Sequence, residues 1–176
     1  MKKKLTVAIV YNEPTVLTKS GRKYISEAGI LQDGGKLLVG TADVLTDLSE
    51  VGVLEEKEDI ARALSALGFK TSIFNVDGDI RRFVAFLHDE PPDVIFNLCE
   101  SLGDSSIHEM HAVGIYELMG IPYTGSDPLT LGTALNKVRV KEILLYNGLP
   151  TPRFQLFKSW LRMSVDERLA YPMIVK

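Results

Sequence analysis

An α/β fold built on a doubly wound parallel sheet is what this 176-residue chain predicts. Three observations carry that reading. Leu5-Thr6-Val7-Ala8-Ile9-Val10-Tyr11 is a short, β-branched and almost continuously apolar run, the pattern of a strand buried on both faces. Two further strand-like runs, Thr71 to Val76 and Asp93 to Leu98, alternate with stretches of helical period. The links between them are short, so right-handed crossovers lay helices on both faces of one parallel sheet.

Along the chain, the first strand covers residues 5 to 11 and is central. Residues 14 to 50 then hold no steady period and contain Gly21, Gly29, Gly34, Gly35 and Gly40, with a hairpin expected around Gln32-Asp33-Gly34-Gly35. So long an irregular excursion is uncommon in a compact domain unless it is a lid or a partner surface, and its role stays open between function and simple mobility. From Val53 to Leu67 the pattern is helical. Val53, Leu54, Ile60, Ala61, Leu64 and Leu67 share a face, while Glu55, Glu56, Lys57, Glu58 and Asp59 fall largely on a solvated one. Gly68 supplies the left-handed residue that ends this helix.

A second strand near 70 to 75 leads to an amphipathic helix carrying Ile80, Phe83, Val84 and Leu87, which stops before Pro91-Pro92. A third strand covers 93 to 98. A polar loop follows, then a helix through Val113, Tyr116 and Met119 that ends at Gly120, and a short fourth strand from 121 to 124. After Gly125 the texture changes. Asp127-Pro128 is a helix start, a capping carboxylate with proline at the first helical position. Helices at 128 to 134 and 137 to 146 follow, the second stopped by Asn147-Gly148, and strands are expected at Arg153 to Phe157 and Tyr171 to Lys176. The reading is therefore a first domain at 1–126 and an unfinished second one at 127–176.

Composition excludes several classes. Hydrophobic residues at 45% and charged residues at 24% are the balance of a packed globular protein. A net charge of -3, with no basic run longer than Lys2-Lys3-Lys4, argues against a nucleic-acid partner. Leu5 to Val10 is too short for a signal core or a membrane span, so no membrane partner is expected and a cytoplasmic location is the default. The single cysteine, Cys99, rules out a disulfide within the chain and reads as a buried small hydrophobe in preference to a nucleophile.

Ligands of an open parallel sheet gather at the strand carboxyl ends, where loops and helix amino termini present backbone N–H groups. Three loops qualify: Tyr11-Asn12-Glu13, Glu100 to Ser106, and Gly125-Ser126-Asp127. Glu13 at such a rim can hold an ammonium group. His108 and His111 stand three apart on one helix, near enough to share a metal, but no third ligand of recognisable spacing accompanies them and an ordinary helix start is favoured. Neither a GxGxxG nor a GxxxxGK[ST] loop is present, which removes the motif of the usual dehydrogenase and P-loop readings.

Five blocks are more specific: Pro92 to Leu98, Glu117 to Ser126, Ala134 to Lys141, Asn147-Gly148-Leu149-Pro150-Thr151-Pro152, and Tyr171-Pro172-Met173-Ile174-Val175-Lys176. In this order and spacing they resemble the D-alanine-D-alanine ligase family of the ATP-grasp superfamily. The resemblance is carried by 92 to 176; over 1 to 90 it rests on the first strand and the βαβ texture. It implies a Rossmann-like, pre-ATP-grasp substrate-side domain followed by the start of an ATP-grasp nucleotide-binding domain.

The same resemblance implies ATP as cofactor, with Lys137 and Lys176 matching the two family lysines that reach the nucleotide phosphates. Glu13 stands near, though out of register with, the family glutamate that engages the first substrate's amino group. Read from the residues alone, Lys137 is a solvated helix lysine, Lys141 one turn on is another, and Lys176 is a frayed terminal one. Two substrate-facing loops depart from the family. Tyr11-Asn12-Glu13-Pro14 replaces its glycine-rich loop, and Cys99 to Ser106 replaces its His-Gly and Gly-Glu-Asp-Gly segments, which puts D-alanine itself in doubt as substrate. The expected partner is a small amino acid or carboxylate, and a homodimer is left open. By resemblance, the flexible glycine/serine loop, the adenine clamp and the magnesium-binding carboxylates all follow residue 176, so no residue here is assigned to the metal and the chain alone is expected to be catalytically silent. The rival reading is a non-catalytic α/β module for small-ligand binding or association, complete as it stands.

Overall fold

The computed structural model describes residues 4–13, 15–18, 21–24, 52–102, 105–158, 161 and 163–174. Its first elements are strands β1 (Thr6–Tyr11), β2 (Thr15–Thr18) and β3 (Gly21–Tyr24), helix α1 (Val53–Ala66), strand β4 (Lys70–Asn75), helix α2 (Ile80–Asp89) and strand β5 (Val94–Leu98). A 3-10 turn at Ser106–His108 then leads into α3 (Glu109–Leu118), followed by α4 (Pro128–Leu135) and α5 (Lys137–Tyr146). The main sheet has the order β4-β1-β5 and is parallel throughout, with Tyr11 opposite Asn75 on one side and Leu98 on the other. The fold is α/β with a parallel sheet, as the alternating periodicity predicts.

β1 sits in the middle because it can be buried on both faces. Ala8, Ile9 and Val10 are fully inaccessible. Side chains alternate across a strand, and the packing follows that alternation. Ala8 and Val10 join Phe83 and Leu87 of α2 and Ala112, Val113 and Tyr116 of α3, whereas Tyr11 joins Val53 and Leu54 of α1. Helices therefore cover both faces, as right-handed crossovers require when the chain steps from β1 to β4 and then back across to β5. Fully burying a side chain such as Phe83 contributes about 1.5–3 kcal/mol relative to leaving it exposed. Phe83 also meets Tyr116 edge-on at 5.8 Å between ring centroids, and Phe74 of β4 stacks on Phe86 at 4.1 Å.

Local signals place the helix ends where they were expected. Gly68, Gly120 and Gly148 close α1, α3 and α5 at φ of 89°, 68° and 68°. Asp79 caps α2 through the Arg82 N–H at 3.0 Å, Asp127 caps α4 through the Thr130 N–H at 3.0 Å, and Asn136 caps α5 through the Arg139 N–H at 3.1 Å.

Three expectations are corrected. Residues 121–124 make no full strand, only a single parallel bridge between Tyr123 and Ile95, because Pro122 has no N–H to donate and glycines at 120 and 125 turn the chain at both ends. Residues 153–157 and the described part of 171–176 form no strand, since no described segment offers them a ladder partner. Side chains hold the first stretch instead: Gln155 Nε2 donates to the Ser164 carbonyl at 2.8 Å and Gln155 Oε1 accepts from the Asp166 N–H at 2.7 Å. Within 14 to 50 the structure also shows a hairpin that the sequence reading did not name, with Thr15 opposite Tyr24 and Thr18 opposite Gly21. The hairpin expected at 32–35 lies outside the described residues, as does Lys176.

By its internal contacts the chain divides into a unit through Leu131 and a second from Gly132. No helix among the described residues is long and apolar enough to cross a membrane.

Candidate functional site

A parallel sheet opens a crevice where successive connections leave in opposite directions. Here the chain leaves β1 towards β4 and leaves β5 towards the bridge at Tyr123, so the crevice lies at the carboxyl ends of β1 and β5. Asn12 and Glu13 emerge there from β1, and Cys99, Glu100 and Ser101 from β5.

Glu13 is held by Asn75, the last residue of β4. Asn75 Nδ2 donates to Glu13 Oε2 at 2.9 Å, while Asn75 Oδ1 accepts from the backbone N–H groups of Glu13 at 3.0 Å and Asp77 at 3.1 Å. Asp77 adopts a left-handed φ of 49°, which folds its N–H back onto that oxygen. Arg82 of α2 donates to the Asn75 carbonyl, and its guanidinium lies 4.9 Å from the centroid of the Phe74 ring. One amide thus ties the end of β1 to the end of β4.

Lys57 corrects the sequence reading of a solvated acidic face. Its Nζ lies 5.1 Å over the Tyr11 ring and 3.0 Å from Glu58, and only 16% of its side chain is exposed. The apolar stem therefore joins the inward stripe of α1. Burial disfavours its charge, yet the bond to Glu58 and the proximity of Tyr11 and Glu13 hold its pKa above the usual value. Burial raises the Tyr11 hydroxyl pKa, against the opposing pull of Lys57.

On the β5 side, Asn97 Oδ1 accepts from Tyr116 Oη at 3.0 Å and its N–H donates to Thr124 Oγ1 at 3.0 Å. Cys99 is buried and its Sγ donates to the Ser101 carbonyl at 3.2 Å. His108 Nδ1 bonds the Leu102 carbonyl at 2.8 Å and its ring lies 5.5 Å from that of His111. No group of three or more His, Cys, Asp or Glu gathers among the described residues. Burial, then the neighbouring Glu100, raises the Glu109 pKa.

In the second unit, Lys137 opens α5 and its Nζ donates to the Ala134 carbonyl at 2.9 Å. Lys141 is not merely solvated. Its Nζ donates to Thr151 Oγ1 at 3.1 Å and the Pro152 carbonyl at 2.9 Å, and lies 5.3 Å over the Phe154 ring. Asn12 lies at the rim in the loop where the sequence placed it, and the structure adds Lys57, Asn75 and Arg82 around Glu13. Of these, the end of the apolar run was the signal that could have pointed to Asn75.

No family model matches the chain, and no solved structure does. Curated relatives do. A D-alanine-D-alanine ligase of Moorella thermoacetica is 30% identical over 131 residues, which is 70% of this chain and 40% of that protein. The Pseudomonas entomophila D-alanine-D-alanine ligase is 32% identical over 120 residues, 66% of this chain and 35% of the relative. That of Bordetella pertussis is 45% identical over 65 residues, 36% of this chain and 20% of the relative. The matched stretches span 40% or less of the length of these relatives. In sequence, the chain resembles the amino-terminal part of the D-alanine-D-alanine ligase family.

Proposed function

We propose that this chain is the amino-terminal portion of an ATP-dependent carboxylate-amine ligase, with 1–126 as its substrate-side domain and 127–176 as the beginning of its ATP-grasp domain. The observation that carries the reading is Glu13, a carboxylate oriented by Asn75 at the mouth of the crevice, supported by the named ligase relatives. An oriented carboxylate there suits the ammonium of a small amino acid. Lys137 and Lys176 take the nucleotide phosphates, Lys137 by leaving the Ala134 carbonyl.

The reaction proposed has two steps. A substrate carboxylate oxygen attacks the terminal phosphorus of ATP, and ADP leaves. The amine nitrogen of the second substrate then attacks the acyl carbon, the bond to phosphate breaks, and nitrogen loses a proton to solvent as the amide forms. Positioning and electrostatic stabilisation supply most of such catalysis. Magnesium, when bound, screens the phosphates. The described residues do not fit a magnesium site, since no three candidate ligands gather among them, and no step here is routed through it. Residues 1–176 alone are accordingly expected to release no phosphate from ATP. The location proposed is the cytoplasm, where ATP is available.

The test is ADP release by the full-length polypeptide carrying this chain, with ATP, magnesium and a panel of D- and L-amino acids. Amino-acid-dependent release, lost in Glu13→Ala, is the expected result. ADP release that no amino acid or carboxylate stimulates would sink the ligase reading.

A further inference from the structure

Each of the three parallel strands carries an asparagine at its carboxyl end. On the outer strands the protein itself satisfies the side-chain carbonyl: Asn75 Oδ1 takes two backbone N–H groups, and Asn97 Oδ1 takes the Tyr116 hydroxyl. On the central strand it does not. Asn12 is 9% exposed, and its Oδ1 accepts no hydrogen bond from any described residue. A buried carbonyl oxygen without a donor is uncommon and costly in native structures, and such groups call for a partner.

The position says what kind of partner. Asn12 follows Ala8 and Val10 in the two-residue alternation, so its side chain lies on the α2 and α3 face of β1, one residue past the last ladder pair, Tyr11 with Leu98. That is the crevice. An amide oxygen can only accept, so the missing partner is an N–H or O–H. The Glu13 carboxylate is the next residue, and beside it a cationic donor is favoured over a neutral one.

We propose that Asn12 is a specificity-determining residue whose Oδ1 accepts a hydrogen bond from the ammonium of the first amino-acid substrate, the one whose carboxylate is activated and whose ammonium Glu13 holds. This rests on the ligase reading above and assigns that site a contact its carboxylate alone does not provide.

The test is steady-state kinetics of the full-length polypeptide with D-alanine as the probe amine and ATP as co-substrate, on wild type, Asn12→Leu and Asn12→Asp. Leucine keeps the shape and removes the acceptor; aspartate keeps an acceptor. The expected result is a KM for D-alanine raised about ten-fold or more in Asn12→Leu, an unchanged KM for ATP, and a midpoint of thermal unfolding no lower than that of wild type. Asn12→Asp is expected to stay within about three-fold of wild type, since its carboxylate can make the same charge-assisted contact. A wild-type KM in Asn12→Leu overturns the assignment while amine-dependent ADP release leaves the ligase reading standing. Equal damage from leucine and aspartate, or equal shifts in both KM values with a lowered unfolding midpoint, overturns it in favour of a structural role. Absence of amine-dependent ADP release in wild type overturns both.

Discussion

Asn75 grips Glu13 at two points, donating from Nδ2 to the side-chain carboxylate at 2.9 Å and accepting the backbone N–H on Oδ1 at 3.0 Å. The residues are far apart in sequence and meet because β1 and β4 are paired neighbours, with Tyr11 opposite Asn75. Asn75→Ala is expected to leave the Glu13 and Asp77 N–H groups without that acceptor and to cost about 1–3 kcal/mol of stability. Asn75→Asp should do more to function than to fold, because it keeps the acceptor and sets a second carboxylate against Glu13. Urea denaturation, together with the KM for the first amino-acid substrate, separates the two effects. A wild-type KM in Asn75→Asp would show that the orientation of Glu13 does not matter.

At the opposite end of the same sheet, Asp93 Oδ2 accepts from the Thr6 N–H at 2.7 Å and from Thr6 Oγ1 at 2.8 Å, and Thr6 Oγ1 accepts the Asp93 N–H at 3.0 Å. This reciprocal clasp fixes the start of β5 against the start of β1 and so sets their register. Asp93→Ala is expected to lower stability by about 1–3 kcal/mol, and Asp93→Asn by less, since the amide can keep an acceptor oxygen. Both are read by chemical denaturation. Indifference of the fold to Asp93→Ala would mean that the apolar ladder alone sets the register.

The sheet was legible in the sequence because burial on both faces leaves a plain mark: Val7 to Tyr11 is apolar at every position. Helix ends were legible for a similarly local reason, since Gly68, Gly120 and Gly148 act through their own backbone and the Asp127 carboxylate caps an N–H only three residues on. The rim was less so. Asn75 and Asn12 differ in role only through which groups the folded chain brings to them, which is a property of strand pairing. Lys57 was read as solvent-facing because a charge was equated with exposure, whereas its stem covers Tyr11. The strand expected at 121–124 shrank to one bridge because periodicity counts apolar side chains and takes no account of the missing N–H at Pro122.

Glu109 and Glu100 give a dependence on pH. The Glu109 pKa is raised by burial and then by the charge of Glu100. A carboxyl whose folded pKa exceeds its unfolded one contributes fully below the unfolded pKa and loses that contribution as pH rises through the folded value. Glu109→Gln is therefore expected to matter little at acid pH and to stabilise slightly at pH above 7, by about half a kcal/mol or less given its solvent screening. Carboxyl titration by NMR should show the Glu109 midpoint falling in Glu100→Gln, yet staying above that of an ordinary glutamate, because burial is the larger cause. A midpoint unmoved by Glu100→Gln would remove the coupling.

Three lysines separate a phosphate contact from a structural one. Lys137 Nζ rests on the Ala134 carbonyl of the preceding helix, an exposed contact worth little to stability. Replacing it by alanine should leave the unfolding midpoint almost unchanged. If its ammonium transfers to a nucleotide phosphate, the same change removes a charge-assisted contact worth about 1.5–3 kcal/mol. That corresponds to a loss of ATP affinity of about ten-fold to a hundred-fold. The same loss is expected for Lys176→Ala. Lys141 should behave in the opposite way, because its ammonium is engaged by Thr151 and Pro152 and lies over Phe154, tying α5 to the segment that follows it. Lys141→Ala should therefore lower the unfolding midpoint and leave the intrinsic affinity for ATP near wild type. Titration calorimetry on the full-length polypeptide, at a temperature where all three variants are folded by circular dichroism, measures this directly. Should Lys141→Ala weaken ATP as much as Lys137→Ala does, or should neither Lys137→Ala nor Lys176→Ala change affinity, the assignment of the phosphate lysines fails while the parallel sheet and its rim are untouched.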